Sequence, residues 1–425
     1  MSLSIPFFVS FLICMSQIHI ISCETGRFNG HKLKRPSSSS SPLLSSSETI
    51  QKSNQHNVPH SYKNILSSSS TSTAIKDFHN DFAHLEAQPL TNLTTPCIVL
   101  CRDTTYTKLW TLDDWKKHSK HSLSRYASHV LTWPTSTTMQ NVIGTVILVG
   151  LWSAAISTFA NKSSTFQTSL TKFTVTMTFL QAPILLLLTL RTNRALDRLL
   201  ETRKAWGLLG RATRSLMGLV CAHIMPTNPE LGCIIGRHVA ICGWLLKGYL
   251  RDEDDTNLIK AIMKSTPEEA EWLLQQKEMG SKSTHAAIHR LRSLFSNRNN
   301  GNFDIDPIIL LRMEEILYDI ESSVGVCARV LISPIPPTYT RHTSRVLALY
   351  MFMLPIALVG MGLSTLAVVF TSVIASYILV GIDEIGLEIE CPFPLMPLFN
   401  LSTGIQKEVE RQVKMMVDIP SFTQN

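Results

Sequence analysis

Charge is scarce in this sequence: 17% of its 425 residues are Asp, Glu, Lys or Arg, and aromatic residues make up 8%. With a mean hydropathy of +0.12, the chain is too apolar for an ordinary soluble domain and too polar to be embedded throughout. A protein part membrane and part aqueous is implied. Signatures of chemistry are missing as well. There is no Gly-rich phosphate loop and no G-x-S-x-G elbow. His118, His121 and His129 sit in "HSKHSLSRYASH" without the paired His boxes of a di-iron site. The nine Cys are scattered, and the closest pair, Cys97 and Cys101, has neither C-x-x-C spacing nor a His partner, which argues against zinc. Their odd number argues against a disulfide framework. An enzyme is not expected, nor a cofactor or a metal. No basic run is interleaved with aromatics, so nucleic acid is not an expected partner.

The N-terminus reads as a leader. Residues 1–22 contain "SIPFFVSFLICMSQIHIIS", a short uncharged run of signal-peptide length. Residues 23–75 are Ser-rich, with Arg27, Lys32, Lys34, Arg35, Lys52 and Lys63 set against Glu24 and Glu48. That composition fits a disordered transit peptide. Signal peptide then transit peptide resembles a bipartite plastid-targeting leader; a disordered luminal tail on a secretory-pathway protein is the alternative.

Three long stretches carry no Asp, Glu, Lys or Arg: 126–161, 173–190 and 346–382. Residues 76–141 read as an aqueous and juxtamembrane segment, because "WPTSTTMQN" is polar and Pro134 favours a break. Spans one and two then occupy 142–190. The third stretch has 37 residues, about 55 Å as a helix and nearly twice a bilayer core. It must fold back, and "GMG" at 360–362 followed by Ser364 is the expected hairpin between spans three and four, 346–381. A proton-coupled carrier would place ionisable groups within such spans; none is present. Lys116, Lys117, Lys120 and Arg125 precede span one, the cluster from Arg191 to Arg214 follows span two, and Arg341 and Arg345 precede span three. Only Lys162 and Lys172 lie between the first two spans. The N-terminal region, the middle domain and the C-terminus therefore share the positive side.

The middle segment, 191–345, shows helical apolar spacing in "DDTNLIKAIMKSTPEEAEWLLQQKEM" and "DPIILLRMEEILYDIESSVGVCARVL", with Asp306-Pro307 as a start signal. Nothing there reads as strand. The expected fold is all-α: four transmembrane helices plus a large aqueous helical domain, with a C-terminal segment at 382–425 packing on that domain. "RDEDD" at 251–255 lacks an EF-hand pattern and reads as a solvated helix end.

"LTLRTNRALDRLLETRKAWG" at 188–207 leaves the second apolar stretch without a Gly or Pro break, so one helix should run from membrane into water. Helical spacing is expected to put Leu196, Leu199, Leu200 and Trp206 on one face and Arg191, Arg194, Asp197, Arg198 and Glu201 on the other. Arg194 with Asp197, and Arg198 with Glu201, would pair at i,i+3. Higher up, Thr171, Thr174, Thr178 and Gln181 form a polar stripe that faces either a cavity or a neighbouring helix.

These residues resemble a motif of the bestrophin family, F-R-T/N-N-x-x-Y-D-R-W-W-E-x-R-K-x-W-G. The matches are Arg191, Thr192, Asn193, Asp197, Arg198, Glu201, Arg203, Lys204, Trp206 and Gly207; Leu190, Leu196, Leu199 and Leu200 stand where the family usually has aromatics. "YTRHTSRVLALYMFMLPIAL" at 339–358 is a second similarity. "GIDEIGLEIECPFPLMPL" at 381–398 is a third, carrying Glu384, Glu388, Glu390, Pro392 and Phe393, and it shares the PF-x-x-x-PL form of the plastid branch, described as thylakoid anion channels. The resemblance implies a homopentamer in membrane lipid that passes inorganic anions, chloride with bicarbonate or nitrate besides, through a pore lined by the second span. It also implies an apolar neck, which counting back from Arg191 puts at Val175, Phe179 and Pro183; such a neck gates by wetting. The family's acidic calcium clasp has no counterpart in "ECPFPLMPLFNLSTG". A thylakoid membrane is the implied location, with another plastid or secretory-pathway membrane as the alternative. A non-conducting scaffold of the same fold is the alternative function.

Overall fold

Among the described residues every regular element is helical. The computed structural model describes residues 69–86, 109–119, 122–162, 167, 170–278, 283–296 and 305–418, and the leader expected at 1–22 and most of 23–75 lie outside them. In chain order the helices are α1 Ser69–Glu86, α2 Leu112–Ser119, α3 Ser122–Leu131, α4 Thr137–Ala160, α5 Lys172–His223, α6 Pro229–Arg251, α7 Thr256–Ile262, α8 Pro267–Glu278, α9 Ser283–Ser296, α10 Pro307–Ile332, α11 Pro337–Gly360, α12 Thr365–Glu390 and α13 Leu398–Asp418. Helix α1 therefore takes in the last residues of the stretch expected to be disordered, and Ile75 is buried in it.

The starts and stops follow local chemistry. A 3-10 turn over Trp133–Thr135 carries Pro134 and precedes α4. Asp306 caps α10, its carboxylate accepting from the Ile308 amide at 2.8 Å, with Pro307 in the first turn. Asn228 caps α6 in the same way ahead of Pro229. The third apolar stretch does fold back: α11 ends at Gly360, Gly362 adopts φ 77°, and the Ser364 hydroxyl caps α12 by accepting from Ala367. Gly360 is also a point of close approach, since a side-chain Cβ there would fall 2.5 Å from the Leu170 carbonyl oxygen. Helix α11 starts at Pro337, earlier than the apolar stretch itself, and so carries Arg341 and Arg345 in its first turns.

Two cores result. In the first, α4, the N-terminal part of α5, α11 and α12 pack around Val149, Met177, Leu188, Leu354 and Val368. Trp152 of α4 stacks on Phe352 of α11 with centroids 4.5 Å apart and donates its indole N–H to the Phe352 carbonyl. Ser157 donates to Thr365 at 2.9 Å, a polar bridge between apolar helices. The outer surface of this bundle is apolar, with Leu148, Leu151, Leu366 and Phe370 all exposed. A band of that kind is what lipid covers. In the second core, the rest of α5, α6, α10, α13 and α1 enclose Phe78, Leu216, Trp244, Ile320, Phe393 and Val413.

Among the described residues five helices are long and apolar enough to cross a membrane: α4, α5, α6, α11 and α12. Helix α6 is the exception in its surroundings, because it lies inside the second core with 83% of its apolar window buried. The other four form the exposed apolar bundle. Helix α5, at 52 residues and about 78 Å, belongs to both cores.

Candidate functional site

The apolar half of α5 has two unlike sides. Met177, Ile184 and Leu188 are buried against the neighbouring helices, while Val175, Phe179 and Pro183 are exposed, followed on the same side by Leu186 and Leu190. At roughly 100° per residue these five fall within about 80° of one another, and the buried three lie opposite. Phe179 is 77% exposed, so a large ring projects from the bundle in the middle of the stripe. Pro183 lies inside the helix and has no amide to offer the Phe179 carbonyl.

The Thr stripe behaves differently. Thr174 donates to the Thr171 carbonyl at 2.6 Å and Thr178 to the Thr174 carbonyl at 3.2 Å. Their hydroxyl protons are thus committed to their own helix, and Gln181 is half-buried.

Below Leu190 burial follows the expected faces only in part: Trp206 is buried and Arg194 and Asp197 are exposed, as expected, but other residues are not. Arg191 is buried and ion-paired with Asp383 of α12, whereas Leu196 and Leu200 are exposed. The expected pair between Arg198 and Glu201 does not form. Arg198 instead donates to three carbonyls, Glu390 at 3.0 Å, Ser333 at 2.7 Å and Val330 at 2.6 Å. Those oxygens belong to the last turns of α10 and α12, where helical carbonyls lack intrahelical partners and the dipole favours a cation. Arg198 therefore ties two helix ends to α5. Glu201 accepts from Arg329 of α10. Trp206 is buried in the second core, and its indole nitrogen has no partner among the described residues. Asn193, Asp197 and Arg203 remain exposed.

The motif after α12 supplies the other halves of these contacts. Glu384 accepts from Asn141 of α4 at 2.8 Å, and Glu390 acts through its carbonyl rather than its carboxylate. Glu388 is half-buried, and Pro392 and Phe393 are buried. Asp383, the partner of Arg191, was not singled out from sequence although it stands in the same motif.

"RDEDD" departs from expectation in part. Asp252 and Asp254 are exposed, but Arg251, Glu253 and Asp255 are buried in a charge cluster: Lys247 contacts Glu253 and bonds Asp255 at 2.9 Å and 3.1 Å, while Arg251 lies 3.7 Å from Glu253. The Arg251 guanidinium donates to the Phe393 carbonyl at 3.1 Å and 3.0 Å and to the Met396 carbonyl at 2.6 Å. The segment that leaves α12 is thereby fastened to the second core. A left-handed turn at Asp252, φ 54°, folds the carboxylates back onto the helix end.

One further buried group is charged conditionally. His238 sits in the second core and bonds Glu269 at 3.1 Å, and Glu269 also accepts from Arg290. Burial pushes the His238 pKa down against the pull of Glu269. Burial raises the Glu269 carboxyl, yet hydrogen bonds from His238 and Arg290 outweigh it and hold the group at about 2. Burial pushes the thiols of Cys221, Cys233, Cys242 and Cys327 up to about 12, so they pack as apolar groups. Among the described residues no three His, Cys, Asp or Glu are grouped to hold a metal.

The class defined by this arrangement is an all-helical membrane protein in which one unbroken helix carries an exposed apolar stripe through the bundle and into an aqueous domain. Residues 115–411 match the family model described as bacterial/fungal bestrophin protein. The chain belongs to the bestrophin family. Among its relatives, a voltage-dependent anion channel-forming protein of Nostoc sp. is 29% identical over 224 residues, covering 50% of this chain and 67% of that one. Voltage-dependent chloride channel 2, chloroplastic, of Arabidopsis thaliana is 26% identical over 325 residues, 72% of this chain and 73% of that one. In fold the chain is similar to the crystal structure of a bacterial bestrophin homolog from Klebsiella pneumoniae, with TM-score 0.58 and 24% identity over 64% of this chain and 98% of that one.

Proposed function

We propose that the protein is a passive anion channel whose pore runs along the exposed stripe of α5, with Val175, Phe179 and Pro183 as its neck. The observation that carries this reading is the outward apolar stripe on a helix that is otherwise clamped. Arg191 and Arg198 fix the helix from behind through Asp383 and three backbone carbonyls, and leave the neck residues facing away from their own subunit. A helix face shared by copies around an axis, as in a homopentamer, would enclose a narrow apolar passage. Such a passage binds ions weakly and opens by wetting. The names of the relatives support anions as the permeating species, and the chloroplastic relative supports a plastid membrane. In this reading α4, the apolar half of α5, α11 and α12 are the membrane spans, and the second core faces the stroma. Chloride flux across a thylakoid membrane would balance charge as protons accumulate in the lumen, and bicarbonate flux would supply carbon fixation.

The test is the current through planar bilayers containing the purified protein, with reversal potentials measured under chloride, nitrate, bicarbonate and potassium gradients. Reversal potentials that follow the anion gradients support the channel. Well-folded oligomers without current would move the assignment to a scaffold that recruits soluble partners.

A further inference from the structure

The exposed side of α5 does not end at the neck. At roughly 100° per residue, Asp197 and Lys204 fall within about 40° of the direction of Val175, and both are exposed. They stand about 10.5 Å apart along the helix. The cations that sequence would assign to this mouth are elsewhere: Arg191 and Arg198 lie roughly 140–160° away, committed to Asp383 and to helix-end carbonyls. Arg194 and Arg203 flank the stripe at roughly 80–100°. Arg211, farther down the same side, lies 3.8 Å from Asp319. Lys204 has no ion-pair partner among the described residues. Glu201, at roughly 80°, is paired with Arg329 of α10. Among the described residues the side of α5 facing the proposed pathway thus reads, going away from the membrane, one unpaired carboxylate and then one uncompensated ammonium.

We propose that Asp197 and Lys204 are opposed conductance-determining charges at the aqueous mouth of the pathway, Lys204 raising and Asp197 lowering the anion concentration that feeds the neck. This rests on the reading of the α5 stripe as the pore. A fixed charge enriches counter-ions within a screening length, about 10 Å at 0.1 M salt and about 3 Å at 1 M. Both side chains act at the mouth, so they set how many anions arrive rather than which ions the neck admits.

The experiment is single-channel anion conductance of the full-length protein in planar bilayers at about 0.1 M and about 1 M chloride, where the two screening lengths differ threefold. Wild type is compared with Lys204→Gln, Lys204→Arg and Asp197→Asn. Lys204→Gln is expected to lower conductance severalfold at the lower salt and little at the higher; Asp197→Asn is expected to raise it at the lower salt; Lys204→Arg keeps it. Changes of the same sign in Lys204→Gln and Asp197→Asn, no change in either, or changes equal at both salts would overturn the inference while leaving the channel standing. A wild-type protein without anion current overturns the channel reading itself, and this inference with it.

Discussion

Helix α6 and the first half of α5 are each long and apolar enough to cross a bilayer, yet the apolar window of α6 is 83% buried and that of α5 17% buried. The difference lies in what their polar residues require. Helix α6 contains Arg237, His238, Lys247 and Arg251, all buried, and each has a protein partner: Asp81 at 3.0 Å, Glu269 at 3.1 Å, Asp255 at 2.9 Å, and the carbonyls of Phe393 and Met396. Such groups can be buried only where charged and carbonyl partners surround them. The apolar half of α5 holds no charge, and its Thr174, Thr178 and Thr189 hydroxyls are answered within the helix. Nothing on its outer side requires protein. Apolar content alone therefore does not say which solvent a helix meets; the bonding needs of its polar residues do.

The largest effect expected from that contrast is at Arg251. Arg251→Leu removes the donor to the carbonyls of Phe393 and Met396 inside the second core and leaves Glu253 with Lys247 alone, and a loss of about 3–5 kcal/mol is expected, read by denaturant or thermal unfolding of the detergent-solubilised protein. Phe179→Ala, on the exposed stripe, should move the same unfolding transition by no more than about 0.5 kcal/mol. A comparable loss from both would erase the distinction between the two helices.

Acid should act next, through the second core. The folded Glu269 carboxyl titrates near 2 and its ordinary value is 4.5, so its stabilising contribution is whole above pH 4.5 and is lost as pH falls towards 2. Buried His238 stays neutral in the fold below its ordinary value of 6.5, while the unfolded chain takes up a proton there; acidification below that value therefore costs stability too. The melting temperature is expected to fall on acidification through both ranges. Glu269→Gln should flatten the lower one, and an unchanged profile would contradict the buried pair.

The smallest effect belongs to the pair between Glu201 and Arg329, which is substantially exposed. Arg329→Gln should cost about 0.2–1 kcal/mol and less as salt is raised. A loss as large as that at Arg251 would mean that this contact is sheltered by another chain.

Much of the fold was legible because its signals are local. Pro134, Asp306-Pro307, and the Gly360, Gly362 and Ser364 hairpin each act through their own backbone, and the unbroken stretch from Phe173 to Gly207 implied one helix. The burial pattern of α5 was legible only in part. Its charges suggested a solvated face, but Arg191 and Arg198 answer groups 132 to 192 residues away in sequence, which no periodicity reveals. "RDEDD" misled for the same reason: an acidic run beside a helix end is usually solvated, and here Lys247, one helical face back, and the carbonyls after α12 draw part of it inside. Asp383 could have been found, since an Asp at the end of an apolar span calls for a nearby cation.

The most direct measurement is single-channel conductance of Phe179→Ala beside Phe370→Ala. Both rings are exposed, one on the α5 stripe and one on the outer side of α12. If the stripe lines the neck, Phe179→Ala widens it and raises conductance while Phe370→Ala leaves conductance at the wild-type level. The reverse pattern, or no response to either, would contradict the account.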